Sequence, residues 1–226
     1  MARLPAILDA LVVDFDGTLA EADYDFGAMR ERVRALAGEY GVSARDLDGL
    51  YVLEAVERAA EIIGGETEPA RAFRAKAQDV IFDLEVRAAR EGRLLPGAEQ
   101  ALQALHDVGV RVAIVTRNSG AVLDAIAGAR RLTYAAFLPR EAVPRVKPDP
   151  AHLLAALAAV GCEPARAVMA GDHPMDMQAG KAAGMATAGV LTGAGTRESL
   201  TAAGADLIVA SVVELSRILT GAVRDI

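Results

Sequence analysis

Residues 14–19, Asp-Phe-Asp-Gly-Thr-Leu, directly follow the apolar run of residues 11–13, and this junction constrains the chain more than any other segment. The apolar run predicts a buried strand with two aspartates, Asp14 and Asp16, at its carboxyl end. Gly17 allows the chain to turn sharply there. Because neighbouring carboxylates repel each other, this pair indicates a cation, a shared proton or a reaction.

A calcium loop of the EF-hand type is the first alternative interpretation of this segment. Such a loop carries its glycine at the sixth position and a chelating glutamate at the twelfth. Here the glycine is the fourth residue of the motif, and no glutamate follows in register. The calcium-loop interpretation is therefore set aside.

The bulk composition excludes several classes of protein. The chain has 226 residues, of which 53% are hydrophobic and 24% charged, which suits one or two globular domains with a real core. A net charge of −7 without basic clusters argues against nucleic-acid and membrane partners. The lone Cys162 excludes an internal disulfide and a multi-cysteine zinc site. With no signal-peptide pattern and no membrane-length apolar run, we expect a cytoplasmic protein.

The pattern of the chain changes near residues 20 and 95. The intervening segment shows no strand-like alternation and predicts three helices, at residues 26–40, 44–63 and 69–90. From Leu95 onward, predicted strands and helices alternate, which is typical of a parallel, doubly wound sheet. The first strand must join that sheet, because alone it cannot bury both faces. We predict an α/β fold, with a Rossmann-like core of residues 1–19 and 96–226 and an all-α cap of residues 20–95.

The polar residues of interest follow the predicted strands of the core. The predicted strands cover residues 110–115, 135–138, 167–170, 186–191 and 207–210. The predicted helices cover residues 99–108, 122–127, 150–161, 174–183 and 212–219. In an open parallel sheet, ligands bind beyond the carboxyl ends of the strands. Six polar side chains could meet there: Asp14, Asp16, Thr116, Lys147, Asp172 and Asp176.

The charges of this set imply a metal ion. Four ionised aspartates and one lysine give −3, and a phosphate dianion would lower the total to −5. Such a surplus is untenable in a partly dry cleft, and one divalent cation would return the total to −3. A set of oxygen ligands without a histidine or cysteine cluster favours Mg²⁺ over zinc.

These elements, in this order, resemble the haloacid dehalogenase-like superfamily of aspartate-nucleophile phosphohydrolases, along nearly the whole chain. The first family motif, Asp-x-Asp-Gly-Thr, matches residues 14–18. The second, a Thr or Ser ending the next core strand, matches Thr116. The third, a basic residue, matches Lys147 before Pro-Asp-Pro. The fourth, Gly-Asp followed by another acid, matches Asp172 and Asp176.

The resemblance implies a role for each of these residues. Asp14 would attack phosphorus and become an aspartyl-phosphate, and Asp16 would protonate the leaving oxygen and later activate water. Mg²⁺ would be held by Asp14, the main-chain carbonyl of Asp16, and Asp172. Thr116, Arg117 and Lys147 would bind the phosphate, and Asp176 would support the metal or pair with Lys147.

The resemblance extends to the helical insertion, which is similar to the cap of phosphoglycolate phosphatase-like enzymes. It implies a Mg²⁺-dependent phosphatase for a small phosphorylated metabolite, acting as a monomer or homodimer. A phosphomutase of the same superfamily, similar to β-phosphoglucomutase, and a non-catalytic binding protein on this fold remain alternatives. Two departures bear on the substrate: His173 stands where family members often carry a small hydroxyl residue, and residues 20–26 lack the usual Val-Asp-Ser/Thr.

Several further residues have simpler structural interpretations. We expect His106 and His152 to be surface residues of helices, and Ser119 and His173 to cap helices. The cap residues Arg71, Arg74 and Lys76 could steer anions, although a solvated helix face is the preferred interpretation. The stretch of residues 193–195, Gly-Ala-Gly, is a weak loop signal without a nucleotide-binding fingerprint.

Overall fold

A computed structural model describes residues 4–5, 7–128 and 130–224 of the chain. They form two compact units, one taking in the chain up to Ala22 and from Gly92 onward, the other spanning Asp23–Glu91. The second unit is a few residues shorter at each end than the insertion of residues 20–95 expected from the sequence. The assignment of residues 20–95 to a cap stays a prediction.

The described residues contain eight β-strands and nine α-helices. The strands are β1 (Ala10–Asp14), β2 (Ala20–Glu21), β3 (Arg93–Leu94), β4 (Arg111–Val115), β5 (Ala136–Leu138), β6 (Ala167–Gly171), β7 (Ala186–Val190) and β8 (Leu207–Val209). The helices are α1 (Phe26–Glu39), α2 (Val52–Ile63), α3 (Glu68–Ala89), α4 (Ala98–Asp107), α5 (Gly120–Ala127), α6 (Ala151–Val160), α7 (Pro174–Ala182), α8 (Arg197–Ala202) and α9 (Val212–Arg224). Most predicted elements are present within a few residues of their expected bounds.

The first unit is built on a six-stranded parallel sheet in the order β5-β4-β1-β6-β7-β8. If these six strands are numbered 1 to 6 in chain order, their order across the sheet is 3-2-1-4-5-6. This is the arrangement of dinucleotide-binding folds, in which ligands bind where the strand order reverses. That reversal lies at β1, which pairs with β4 on one side and with β6 on the other. The predicted α/β class with a doubly wound parallel sheet is confirmed.

Strand register brings the expected polar residues to one edge of this sheet. Asp14 pairs with Val115, so Thr116 follows immediately on the neighbouring strand. Val13 pairs with Ala170, so Asp172 follows on the opposite side. All residues of β1 are buried, because strands flank it on both sides and helices such as α6 cover the sheet.

Three local predictions are wrong. Residues 20–95 include the strands β2 and β3, which pair antiparallel and are too short to show an alternating pattern. The single helix expected at residues 44–63 is a 3₁₀ turn, Ala44–Leu47, followed by α2. The break contains Gly49, whose φ of +74° interrupts a right-handed helix. The short helix α8 was not expected.

The second unit consists of α1, α2, α3 and the 3₁₀ turn. Its core is formed by apolar side chains from each helix, including Val33, Val56 and Phe73, which are fully buried. Among the described residues, no helix is long and apolar enough to cross a membrane.

Candidate active site

A tight turn follows β1 and brings the first motif against Asp172. Gly17 has a φ of +76°, and its N–H donates to the Ala20 carbonyl at 2.7 Å. A Cβ at this position would lie 2.6 Å from the Asp172 carboxyl group. Only glycine therefore allows both the left-handed turn and the close approach of the two carboxylate-bearing loops.

Lys147 is the electrostatic centre of the site. Its Nζ donates to Asp14 Oδ1 and to Asp176 Oδ1, each at 2.6 Å, and its side chain is only 2% exposed. Asp176 is held in turn, because its Oδ2 accepts the His173 N–H at 3.0 Å. Of the two roles expected for Asp176, the structure shows the pairing with Lys147.

The second expected catalytic residue, Asp16, is fixed by the neighbouring strand. Thr116 Oγ1 donates to Asp16 Oδ2 at 2.9 Å and accepts the Asn118 N–H at 3.0 Å. The hydroxyl of Thr116 thus orients the Asp16 carboxyl group. Its expected contact with phosphate stays a prediction.

Asp172 is enclosed by a loop that sequence reasoning passed over. Its Oδ2 accepts the Ala194 N–H at 2.8 Å, and its Oδ1 accepts the Thr18 hydroxyl at 3.3 Å. Thr192 Oγ1 donates to the Gly17 carbonyl at 2.6 Å and so ties the same loop to the first motif. The weak loop signal of residues 193–195 therefore marks the segment that closes on Asp172.

Arg117 lies beside the site with its guanidinium directed at main chain. Its Nη1 donates to the Lys147 carbonyl at 2.5 Å and contacts Met175 Sδ at 2.9 Å. This arrangement supports the Lys147 backbone. The expected contact of Arg117 with phosphate stays a prediction.

His152 is the residue that the sequence analysis placed wrongly. It was expected on a helix surface, yet it is fully buried. Its Nε2 lies 2.9 Å from the Leu138 carbonyl, and its Nδ1 accepts the Lys147 N–H at 3.4 Å. Helix α6 is apolar apart from this histidine, and a helix with so few polar positions is usually buried on most of its surface. That signal could have corrected the expectation.

The remaining structural expectations were mostly correct. His173 caps α7, with its Nδ1 accepting the Met175 N–H at 3.2 Å. Ser119 occupies the N-cap position of α5, but Glu141 Oε1 accepts the Gly120 N–H there. In the second unit, three cations have local partners. These pairs are Arg71 with Glu68, Arg74 with Glu57, and Lys76 with the Tyr40 ring.

Burial and charge shift the protonation of the central groups. Burial raises the pKa of Asp14 well above its usual value, Lys147 opposes this, and the carboxylates of Asp176, Asp172 and Asp16 raise it further. Burial and Asp176 also raise the pKa of Asp172. Burial alone would lower the pKa of Lys147, but Asp14 and Asp176 outweigh it and raise that pKa. The site therefore has more negative charge than one ammonium group compensates.

The donor set fits a hard divalent cation. One carboxylate oxygen from each of Asp14, Asp172 and Asp176 lies within 4.8 Å of the others. All three carboxylates also accept hydrogen bonds within the protein: Asp14 from Lys147, Asp176 from Lys147 and the His173 N–H, and Asp172 from the Ala194 N–H and the Thr18 hydroxyl. The choice of Asp14 and Asp172 as the ligands follows the family resemblance and stays a prediction. All donors are oxygen atoms, as Mg²⁺ prefers, and a divalent cation would relieve the excess negative charge.

This site and fold define a class of phosphoryl-group hydrolases, and the comparisons agree. Residues 8–184 match the family model of haloacid dehalogenase-like hydrolase, and the chain belongs to that family. It is 31% identical over 228 residues to the N-acetylmuramic acid 6-phosphate phosphatase of Pseudomonas aeruginosa, covering 96% of this chain and 97% of that protein. It is 30% identical over 199 residues to the phosphoglycolate phosphatase of Pseudomonas putida, covering 84% of this chain and 72% of that protein.

The solved structures show the same fold. A putative beta-phosphoglucomutase from Bacteroides vulgatus superimposes with a TM-score of 0.68 at 23% identity, covering 98% of this chain and 90% of that one. At this identity the likeness concerns the architecture alone. The resemblance drawn from the four motifs is confirmed at the level of the family.

Proposed function

We propose that the chain is a Mg²⁺-dependent phosphatase that hydrolyses a small phosphomonoester through an aspartyl-phosphate on Asp14. The observation that carries this proposal is the position of Asp14 at the end of β1, bonded to the buried Lys147 ammonium at 2.6 Å. The two relatives reported above are phosphatases of small phosphorylated molecules, which supports the same reaction class.

Asp14 acts as the nucleophile because its carboxylate is the group that Lys147 holds at the strand end. The ammonium opposes the rise in the pKa of Asp14 that burial causes, and it offers positive charge to an incoming phosphate. Asp14, Asp172 and the main-chain carbonyl of Asp16 would hold Mg²⁺. When bound, that ion would neutralise charge on the phosphoryl oxygens.

Asp16 acts as the general acid and base. Its carboxyl group is only partly buried and is oriented by the Thr116 hydroxyl at 2.9 Å. It would protonate the leaving alkoxide and then take a proton from the water that hydrolyses the intermediate. Thr116, Arg117 and Lys147 would contact the phosphate oxygens.

A phosphatase screen with Mg²⁺ over a panel of phosphorylated metabolites tests the proposal. The panel should include N-acetylmuramic acid 6-phosphate and phosphoglycolate, the substrates in the names of the two relatives. We expect release of inorganic phosphate that stops with excess EDTA and returns with added Mg²⁺. Full activity in EDTA would contradict the metal assignment, and no release from any ester would contradict the function.

A phosphomutase is the second candidate, because a putative beta-phosphoglucomutase shares the fold. A mutase would pass the phosphoryl group from Asp14 to a sugar hydroxyl, whereas a phosphatase passes it to water. Multiple turnover with stoichiometric free phosphate, and no sugar-phosphate isomer, would favour the phosphatase. We further expect a cytoplasmic enzyme that acts as a monomer or homodimer.

A further inference from the structure

His152 is a buried polar residue that the mechanism above does not use. It lies on α6, and α6 packs against the strands β1, β4 and β5. Both of its ring nitrogens face main-chain groups of other segments. One group is the Leu138 carbonyl at the end of β5, and the other is the Lys147 N–H.

The two partners fix the tautomer of the ring. A carbonyl only accepts hydrogen bonds, so the proton must be on Nε2, 2.9 Å from Leu138. A main-chain N–H only donates, so Nδ1 must present its lone pair to Lys147 at 3.4 Å. The neutral ring with its proton on Nε2 satisfies both partners, and burial supports it by lowering the pKa of His152 to about 4.

The Lys147 backbone is consequently held from two sides. Its N–H is bonded to His152, and its carbonyl accepts from Arg117 Nη1 at 2.5 Å. The lysine side chain is only 2% exposed and its Nζ contacts both Asp14 and Asp176 at 2.6 Å, so the enclosed side chain has little freedom to compensate for a shift of this backbone.

From this geometry we infer that His152 is a positioning residue for the reaction, acting through the Lys147 backbone to place the ammonium against Asp14. This inference rests on the proposed function, in which Asp14 is the nucleophile. The positioning role belongs to His152 Nδ1, the atom that accepts the hydrogen bond from the Lys147 N–H. The bond to Leu138 orients the ring.

Two substitutions separate the acceptor from the donor of this ring. His152→Asn keeps a short-range acceptor near the Lys147 N–H and loses the contact with Leu138. His152→Gln keeps a donor that reaches the Leu138 carbonyl and loses the acceptor near Lys147. Each variant loses one hydrogen bond, so the two are matched for the number of bonds removed. His106→Gln, at an exposed histidine on α4, is the surface control.

The kinetic experiment compares kcat, KM and melting temperature across the three variants with saturating Mg²⁺. We expect His152→Gln to lose roughly ten-fold more kcat than His152→Asn, because a buried donor left unsatisfied displaces the segment that carries it. KM should change less than kcat, and His106→Gln should match the wild type. Equal losses in the two His152 variants, or losses that simply follow melting temperature, would overturn the inference.

Hydrogen exchange at the Lys147 amide provides a readout that does not need turnover. The amide should exchange faster in His152→Gln than in His152→Asn. If the wild type hydrolyses no phosphate ester, the proposed function fails, and the amide exchange alone then decides the position of His152. Equal exchange in both variants would overturn the inference even if the enzyme is an active phosphatase.

Discussion

Strand β1 has an aspartate at each end, and the two carboxylates have opposite surroundings. Asp9, just before the strand, lies 2.7 Å from Arg166 and 3.7 Å from Arg111, and both arginine side chains are more than 40% exposed. Asp14, at the other end, meets Lys147, which is 2% exposed. At one end there are two cations for one carboxylate, and at the other end a single cation for several.

The difference shows which end of the sheet can do chemistry. Exposed ion pairs such as Asp9–Arg166 contribute about 0–1 kcal/mol, because water already solvates both charges. A buried cation between Asp14 and Asp176 cannot rely on water, so its loss leaves unpaired charge in a dry site. Buried ionisable groups with strongly shifted pKa values, such as Asp14 and Lys147, are typical of a functional site.

The largest effect should follow from substituting in parallel the two aspartates at the ends of β1. We expect Asp14→Asn to fold and to lose on the order of 10⁴-fold or more in kcat, because the nucleophile is removed. Asp9→Asn should keep kcat within about two-fold of the wild type, since its partners are exposed arginines. Steady-state assays with far-UV circular dichroism as the folding check would measure both. Appreciable turnover by Asp14→Asn, with deamidation excluded, would place the nucleophile elsewhere.

The next effect concerns Asp16 and depends on the leaving group. The substitution Asp16→Asn retains an oxygen that can accept from the Thr116 hydroxyl, so the local geometry is preserved. Hydrolysis of an alkyl phosphate should slow by ~10²–10⁴-fold, because the alkoxide needs a proton. A nitrophenyl phosphate should be affected far less in the first step, because its phenolate leaves without one.

Pre-steady-state kinetics on both esters would test this role. The variant should release a burst of nitrophenolate near one equivalent and then turn over slowly, because nothing activates the water that attacks the aspartyl-phosphate. Wild-type enzyme assayed in parallel serves as the control without a burst. Equal losses on the two esters and no burst would show that Asp16 is not the acid–base residue.

A third pair of substitutions compares the cations at the two ends. Lys147→Met leaves Asp14 and Asp176 buried without their partner and should lower the free energy of unfolding by ~3–5 kcal/mol at neutral pH. Arg166→Met, at the exposed end, should lower it by less than about 1 kcal/mol. Urea denaturation in metal-free buffer would measure both. Similar losses in the two variants would remove the distinction between the ends of the sheet.

The sequence was sufficient for the fold and for the residues that gather at the strand ends. Alternating elements predicted the doubly wound sheet, and the position of each motif after a strand predicted where Asp14, Asp16 and Asp172 would meet. This works because a parallel sheet places all carboxyl ends of its strands at one edge. The register of β1 with β4 and β6 then brings the motifs together.

The contacts that orient those residues could not be predicted. The hydrogen bond from the Thr116 hydroxyl to Asp16 was not expected, and the contact of Thr116 with phosphate stays a prediction. The loop around Ala194 closes on Asp172, although glycine and alanine offer no chemical signal of their own. His152 was expected on the surface, although the almost wholly apolar sequence of α6 indicates a buried helix. Hydrogen bonds between distant segments depend on packing, and local sequence patterns do not encode it.

The smallest expected effect concerns pH and the same buried end of the sheet. Burial lowers the pKa of His152 to about 4, whereas an unfolded histidine titrates near 6.5. Between these values the unfolded chain binds a proton that the folded chain does not. Stability should therefore be complete above pH 6.5 and fall as the pH drops from 6.5 toward 4. The total loss from this group should be about 3 kcal/mol.

His152→Asn isolates this contribution, because asparagine does not titrate. Nearby carboxylates such as Asp14 and Asp172 also change protonation in acid, but they are present in both proteins, so the difference between the two stability curves belongs to His152. Urea denaturation from pH 4 to pH 8 should show the wild type losing more stability than the variant on acidification. His106→Asn, at an exposed histidine on α4, is the control for the loss of a histidine elsewhere. Parallel curves for the wild type and His152→Asn would mean that His152 protonates without cost, and that its ring is less tightly enclosed beneath Lys147 than its contacts indicate.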